Sequence, residues 1–307
     1  MQGPELSVRV GRCAASGMDI ELCYQWVRSS HPVHGPLILI GGLADQLVSW
    51  EGSLCSKLCN SGFDVLRFDN RDVGKSTKVE SAAKGSVAYR LDDMAQDVLG
   101  LMDRLQLDTA HVCGQSMGGG IAQQMLLKAP QRLRSVTIVM STGRWDPQKN
   151  LDEDVQRVFF TAPESDSVGD LTAHRLHVWK HILLPSPAVF SRWEAHAKQD
   201  AARLYARSTE LMGVARQHKA ITQTGDSLPK LAKLPESVQR RVMIVHGLQD
   251  RLVPVRYGEE LVKAMPFAHR TFLDGMGHRI LPTFEDAFAG ALTLHARSSQ
   301  GKLPSKL

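Results

Sequence analysis

The chain reads as an α/β protein with a mostly parallel central sheet, helices on both faces and a helical cap inserted before the last strands. Three observations carry this. Strand-like and helix-like stretches alternate through the first 140 residues. A G-x-S-x-G pentapeptide, Gly114 to Gly118, sits between an apolar run and a helical run. From 145 to about 235 no buried strand is found, and the sheet pattern resumes only at 241.

Residues 6–10 and 20–26 alternate apolar and polar around a glycine-containing turn, as an antiparallel hairpin does. The PLILI run at 36–40 reads as a strand buried on both faces. It ends at Gly41, Gly42 and Leu43, where a sharp bend leaves a main-chain N–H free, so Leu43 is a candidate oxyanion donor, although a plain Gly-Gly turn has the same sequence. A helix is expected over 46–60 and a strand over 63–68. The polar stretch DNRDVGKST at 69–77 follows, read as a rigid loop that satisfies itself through Asx-type bonds and an Arg71–carboxylate pair; Asp69 and Asp72 are secondary candidates for a catalytic role. Leu91, Met94, Val98, Leu101 and Leu105 form one helical stripe. Residues 109–113 lead as a strand into the pentapeptide, a helix follows until Pro130 stops it, and 134–140 is the next strand.

The pentapeptide has a chemical logic. A serine on a very tight strand-to-helix turn is thrust clear of the sheet, and small residues on either side let the turn close. The N-terminus of the following helix then brings partial positive charge and the Met117 N–H to where an oxyanion would form. A base and an acid are found downstream at strand ends: Asp250 after the 241–246 strand and His278 in the glycine-flanked loop after 270–273. An aspartate after a strand is commonly a helix cap, and a lone histidine is commonly a surface residue. Ser116, Asp250 and His278 together, in that order and each at a strand end, fit a nucleophile, an orienting acid and a general base. His111 and His246 lie within strands and are expected to pack there.

The insertion is rich in proline breaks and holds three of the five tryptophans, Trp145, Trp179 and Trp193, with Phe159, Phe160 and Phe190. A lobe in this place covers the edge of the sheet where ligands bind, so the three tryptophans are candidate pocket residues, the alternative being that they form the lobe's own core. His174, His177 and His181 share one helical face, but no carboxylate or cysteine joins them at ligand spacing, so no metal site is expected. The chain thus divides into a core in two parts, 1–144 and 236–295, a cap, 145–235, and a flexible tail, 296–307.

The chain of 307 residues is 43% hydrophobic and 22% charged, an ordinary globular composition. Its net charge of +5 is spread along the sequence rather than grouped with aromatics, which argues against nucleic acid as a partner. No apolar run is long enough for a membrane span, and the first residues lack the apolar centre of a signal peptide. Five cysteines, Cys13, Cys23, Cys55, Cys59 and Cys113, contain no C-x-x-C pair, which suits a reducing compartment.

Taken together, the Gly41-Gly42-Leu43 turn, the DNRDVGKST loop, the GQSMGGG elbow, the HGLQDRLVP segment and the GMGH segment resemble the α/β-hydrolase superfamily over nearly the whole chain outside cap and tail. The DNRDVGKST loop is most similar to the serine carboxylesterase-like branch that includes aclacinomycin methyl esterase-like enzymes, whereas many epoxide hydrolases and dehalogenases have glycine at the position of Asp72. Ser116, where those two groups have aspartate, separates the chain from them. The resemblance implies a cofactor-free serine hydrolase acting on a small-molecule acyl ester. An acyl-thioesterase, a carbon–carbon bond hydrolase and a perhydrolase use the same triad, and a ligand-binding protein on this scaffold is the reading from another class.

Ser305, Lys306 and Leu307 form S-K-L at the end of the sequence, the tripeptide read by the peroxisomal import receptor, so a peroxisome or glycosome is the expected location. A fluorescent tag on the N-terminus tests this. Puncta that disappear when Leu307 is deleted are the expected result, and diffuse signal from the intact chain refutes it.

Overall fold

The computed structural model describes residues 1–79, 88–145, 151–210 and 212–300. Its centre is an eight-stranded sheet of order β1-β2-β4-β3-β5-β6-β7-β8. The strands are β1 (Gln2–Arg12), β2 (Asp19–Val27), β3 (Gly35–Ile40), β4 (Phe63–Phe68), β5 (Ala110–Gln115), β6 (Leu133–Val139), β7 (Val242–Gly247) and β8 (His269–Leu273). β2 pairs antiparallel with both β1 and β4, and every other pairing is parallel. The hairpin and the buried parallel strands therefore lie where hydropathy puts them.

In β3, Leu37 and Leu39 face one side and Ile38 and Ile40 the other, all fully buried. Helices α2 (Leu91–Arg104) and α3 (Met117–Lys128) cover the isoleucine face with Met94, Val98, Ile121 and Met125. Helices α1 (Gly52–Asn60) and α11 (Glu285–Gln300) cover the leucine face with Leu54, Leu58, Phe288 and Leu292. Between β6 and β7 come α4 (Glu153–Phe160), α5 (Val168–Val178), a π-helical turn (Trp179–Leu183), α6 (Pro187–Tyr205), α7 (Met212–Thr224), α8 (Leu228–Leu231) and α9 (Glu236–Gln239). Helix α10 (Arg256–Ala264) lies between β7 and β8.

Four expectations need correction. The helix expected over 46–60 is broken: a 3-10 turn at Leu47–Ser49 gives way to extended backbone at Trp50 and Glu51 before α1 begins. Buried groups hold that break, because Arg67 Nη1 donates to the Trp50 carbonyl at 2.6 Å and Glu51 meets Arg203 of α6 at 2.6 Å. The cap does not extend to 235 as an independent lobe, since Leu228 and Leu231 of α8 join the cluster on the isoleucine face of the sheet. The tail does not begin at 296: α11 runs to Gln300 and Ala296 is fully buried against the sheet. Arg71 takes its carboxylate from α2 rather than from its own loop, binding Asp97 through two bonds of 2.6 Å. Ser305, Lys306 and Leu307 lie outside the described residues. Among the described residues, no helix is long and apolar enough to cross a membrane, and all five cysteines are buried and unpaired by disulfides.

Candidate active site

Ser116 follows directly on β5 and precedes α3, with φ of 53° and ψ of −120°, a strained conformation for a non-glycine residue. The two flanking glycines are explained by contact. A Cβ on Gly114 would stand 2.1 Å from the Gly118 carbonyl oxygen, and one on Gly118 would stand 2.2 Å from the Ile40 carbonyl oxygen. The elbow can fold back against β3 only if both positions lack a side chain. Ser116 N–H donates to the Val139 carbonyl at 2.9 Å, and Ser141 Oγ donates to the Ser116 carbonyl at 2.8 Å, so the strain is held from the neighbouring strand.

The loops after β7 and β8 bring the acid and base to this serine. Ser116 Oγ lies 3.0 Å from His278 Nε2, and His278 Nδ1 lies 2.7 Å from Asp250 Oδ2. A carboxylate only accepts, so Nδ1 carries the imidazole proton and Nε2 is left to accept from the serine hydroxyl. Asp250 is itself fixed: its Oδ1 accepts the Leu252 and Val253 amides at 2.9 and 2.8 Å. Asp250 and His278 are buried, and Ser116 is partly exposed in a cavity of about 570 Å³.

Leu43 and Met117 line the same cavity. Among the described residues neither of their N–H groups has a hydrogen-bond partner, Met117 being at the first position of α3, where no helical carbonyl can reach it. The turn carrying Leu43 presses on the elbow, since a Cβ on Gly42 would be 3.2 Å from Ser116 Cβ. The sequence-derived Ser116, His278 and Asp250 thus converge, and Leu43 and Met117 border the same cavity.

The three candidate tryptophans separate. Trp145 lines the cavity and meets Phe159 at 6.2 Å between ring centroids. Trp179 also lines it, fully buried, with the Arg279 guanidinium 4.7 Å above its ring. Trp193 does not line the cavity: it packs with Trp179 and Phe190 in the cap and meets His196 edge-on at 5.8 Å, so it is a core residue there. Phe159, Phe160 and His218 form an aromatic wall with centroid separations of 5.2 to 5.7 Å. His174 borders the cavity while the His177 and His181 rings meet each other tilted, with centroids 4.5 Å apart.

Asp69 and Asp72 stand outside the cavity and act as docking points. Asp69 is fully buried and receives both Arg207 Nη1 and Nη2 at 3.0 and 2.9 Å. Asp72 receives Arg216 through bonds of 3.0 and 2.7 Å and the Tyr89 hydroxyl at 2.5 Å. His111 is fully buried, bonded to Ser135 Oγ at 2.7 Å, and burial pushes it down to about 3, so it is a neutral packing residue. His246 is likewise buried, with Nε2 2.7 Å from the Val253 carbonyl.

Sequence reasoning missed a polar group behind the histidine. Asp45 Oδ2 accepts the Gly42 amide at 3.1 Å and Gln115 Nε2 at 2.7 Å. Fully buried Asp200 of α6 accepts Arg175 of α5 at 2.7 Å and Arg279 at 3.0 Å. Arg279 adjoins His278 in the chain, which was the one available signal. The others become neighbours only through tertiary packing.

A family model described as the alpha/beta hydrolase fold matches residues 35–283. The chain belongs to this family of hydrolases and is an enzyme of it. It is similar to the rhodomycin D methylesterase DnrP of Streptomyces peucetius, with 25% identity over 291 residues, covering 87% of this chain and 93% of the relative. Among solved structures, a thermophilic esterase from Thermogutta terrifontis superposes with a TM-score of 0.71 at 21% identity, covering 96% of this chain and 99% of that one. The enol-lactonase of Burkholderia xenovorans LB400 gives 0.67 at 22% identity, covering 92% and 97%. These two likenesses bear on the fold.

Proposed function

We propose that the protein is a serine hydrolase that cleaves a small-molecule carboxylic ester through an acyl-enzyme. The observation that carries this reading is the unbroken run of hydrogen bonds from Ser116 through His278 to Asp250 at the wall of an otherwise largely apolar cavity. His278 Nε2 takes the hydroxyl proton as Ser116 Oγ attacks the ester carbonyl, and the imidazolium that forms is stabilised by Asp250. The Leu43 and Met117 amides receive the oxyanion. When the tetrahedral adduct collapses, the C–O bond to the alcohol breaks and His278 returns the proton to that oxygen. Water then enters, gives its proton to His278 and attacks the acyl carbon, releasing the acid and restoring Ser116. No cofactor is needed in these steps.

An ester rather than a thioester is favoured by the similarity to a relative named as a methylesterase. A fluorophosphonate probe tests the nucleophile: it labels the wild-type protein and not Ser116→Ala, and a folded wild type that takes no label defeats the reading. A panel of p-nitrophenyl esters against acyl-CoA thioesters tests the substrate class, with higher kcat/KM expected on the esters.

Cap aromatics that reach the cavity set selectivity in this reading. Trp145→Ala or Phe159→Ala is expected to change the ratio of kcat/KM between a small and a bulky acyl ester by about tenfold, while the probe still labels Ser116. Trp193→Ala is expected to lower the thermal midpoint and leave that ratio alone. A selectivity change in Trp193→Ala as large as that in Trp145→Ala would contradict the assignment of these residues.

A further inference from the structure

The turn that carries Leu43 is held by three different parts of the chain. From the loop after β4, Asn70 Nδ2 donates to the Gly41 carbonyl at 3.2 Å. From the elbow strand, Gln115 Nε2 orients Asp45, whose Oδ2 holds the Gly42 amide at 3.1 Å. From the cap, Gln217 Oε1 accepts the Ala44 amide at 3.1 Å. The amides on either side of Leu43 are therefore occupied, whereas the N–H of Leu43, which lines the cavity, has no partner among the described residues. Ala44 has φ of 62°, a left-handed conformation that a non-glycine residue keeps only where its surroundings impose it.

Gln217 is fully buried and does not line the cavity. Its Nε2 donates to the Arg71 carbonyl at 2.8 Å while its Oε1 accepts from Ala44. Turning the amide over would set its NH2 against the Ala44 N–H and its oxygen against the Arg71 carbonyl, so the partners fix a single orientation. The helix beneath it is also fixed. Arg216 binds Asp72 through two bonds, and Gly213 comes so close to that loop that a Cβ there would be 2.0 Å from the Asp72 carbonyl oxygen. An unbroken path runs from the loop after β4, through α7, to the backbone beside the oxyanion donor.

We propose that Gln217 is a positioning residue for the oxyanion hole: by holding the Ala44 amide it aims the Leu43 N–H at the reacting oxygen, which makes cap helix α7 a working part of the catalytic centre. The proposal rests on the serine hydrolase reading given above. It requires the transition state, and not substrate capture, to suffer when the bond is removed. An oxyanion donor acts where charge develops, and a misdirected donor loses that action while the pocket stays intact.

The test compares wild type, Gln217→Met and Gln217→Glu with a fluorophosphonate probe and with p-nitrophenyl acetate. Methionine keeps the length and removes both bonds, whereas glutamate keeps an acceptor for Ala44. The labelling rate is taken from molecules that reach full labelling, so misfolded protein does not contribute. The expected result for Gln217→Met is a fall in the saturating labelling rate and in kcat by on the order of a hundredfold, with half-saturating concentrations and KM within about twofold. Gln217→Glu is expected to recover at least about a tenth of the wild-type rate, because the bond to Ala44 is the one that sets the donor. Rates within about threefold of wild type in Gln217→Met, a loss confined to KM, or equal losses in both variants would overturn the proposal while leaving the nucleophile assignment intact. A wild type that takes no label would overturn the nucleophile assignment and this proposal with it.

Discussion

Ser116→Ala and His278→Ala each lower kcat on the best ester by on the order of a million-fold, and the double variant is no worse than either alone. This is expected because the two side chains perform one proton transfer across the 3.0 Å contact between Oγ and Nε2, so removing either removes the whole step. The other histidine beside Asp250 does not substitute. His246, 3.6 Å from Asp250, is fully buried, occupied with the Val253 carbonyl, and does not line the cavity. Asp250→Asn follows a different course. The amides of Leu252 and Val253 demand an oxygen at the Oδ1 position, so the asparagine must turn its NH2 toward His278 Nδ1. That forces the proton onto Nε2, the tautomer that cannot accept from serine, and a loss of roughly ten-thousand-fold is expected. Steady-state kinetics on the three single variants and the double variant, with thermal midpoints to show that each is folded, provide the check. Retention of more than about a tenth of the wild-type rate in Ser116→Ala would remove it as nucleophile.

The residues in that prediction were legible in the sequence because each carries a local signature. Ser116 is marked by the glycines that its elbow requires, Asp250 by its place just past the buried strand β7, and His278 by its glycine-flanked loop after β8. Leu43 was legible for the same reason, since two glycines at a strand end announce a bend. What stayed hidden has no local mark. Asp45 reads as a turn residue, Gln217 and Arg175 as solvated positions on amphipathic helices, and Asp200 as one more charge in a long helix. Hydropathy says which side of a helix is apolar, but not that a polar residue beside that stripe will be sealed under another element. Trp193 fails in the opposite sense: aromatic enrichment correctly signals a packed lobe, yet only the packing decides which rings face the cavity. The break at Trp50 and Glu51 is of the same kind, because helix-forming residues are overridden by Arg67 and Arg203 from elsewhere in the chain. Ala296 is buried together with the polar His295 and Ser299 while Arg297 and Ser298 are exposed, so the end of the last helix buries side chains that composition alone assigns to a solvated tail.

Asp200→Asn is expected to destabilise the protein more than any other single substitution on the cap. Asp200 is fully buried where α5, α6 and the loop after β8 meet, and it accepts from Arg175 and Arg279 together. Burial alone would raise its pKa, but Arg279 and Arg175 outweigh that and hold it down at about 2. Asparagine keeps the shape and removes the charge, leaving two guanidinium groups whose next carboxylate, Asp45, is 3.9 and 3.7 Å away. Breaking a buried pair in this way costs about 3 kcal/mol or more, which for a chain of this length lowers the thermal midpoint by roughly 5 °C. Glu236→Gln, which breaks the half-exposed pair with Arg240 within α9 and its flank, should shift the midpoint by less than about 2 °C. Acid should reproduce the loss in the wild type. Because the folded value of about 2 lies below the ordinary 3.8, the stabilisation is complete above the ordinary value and disappears as pH falls through that interval. The wild type should therefore lose stability more steeply than Asp200→Asn below about pH 4, and the two curves should converge near pH 2. Arg279 adjoins His278, so the same substitution should also lower kcat. A midpoint within about 2 °C of wild type at neutral pH would show that the two arginines find other partners and that this junction does not hold the cap.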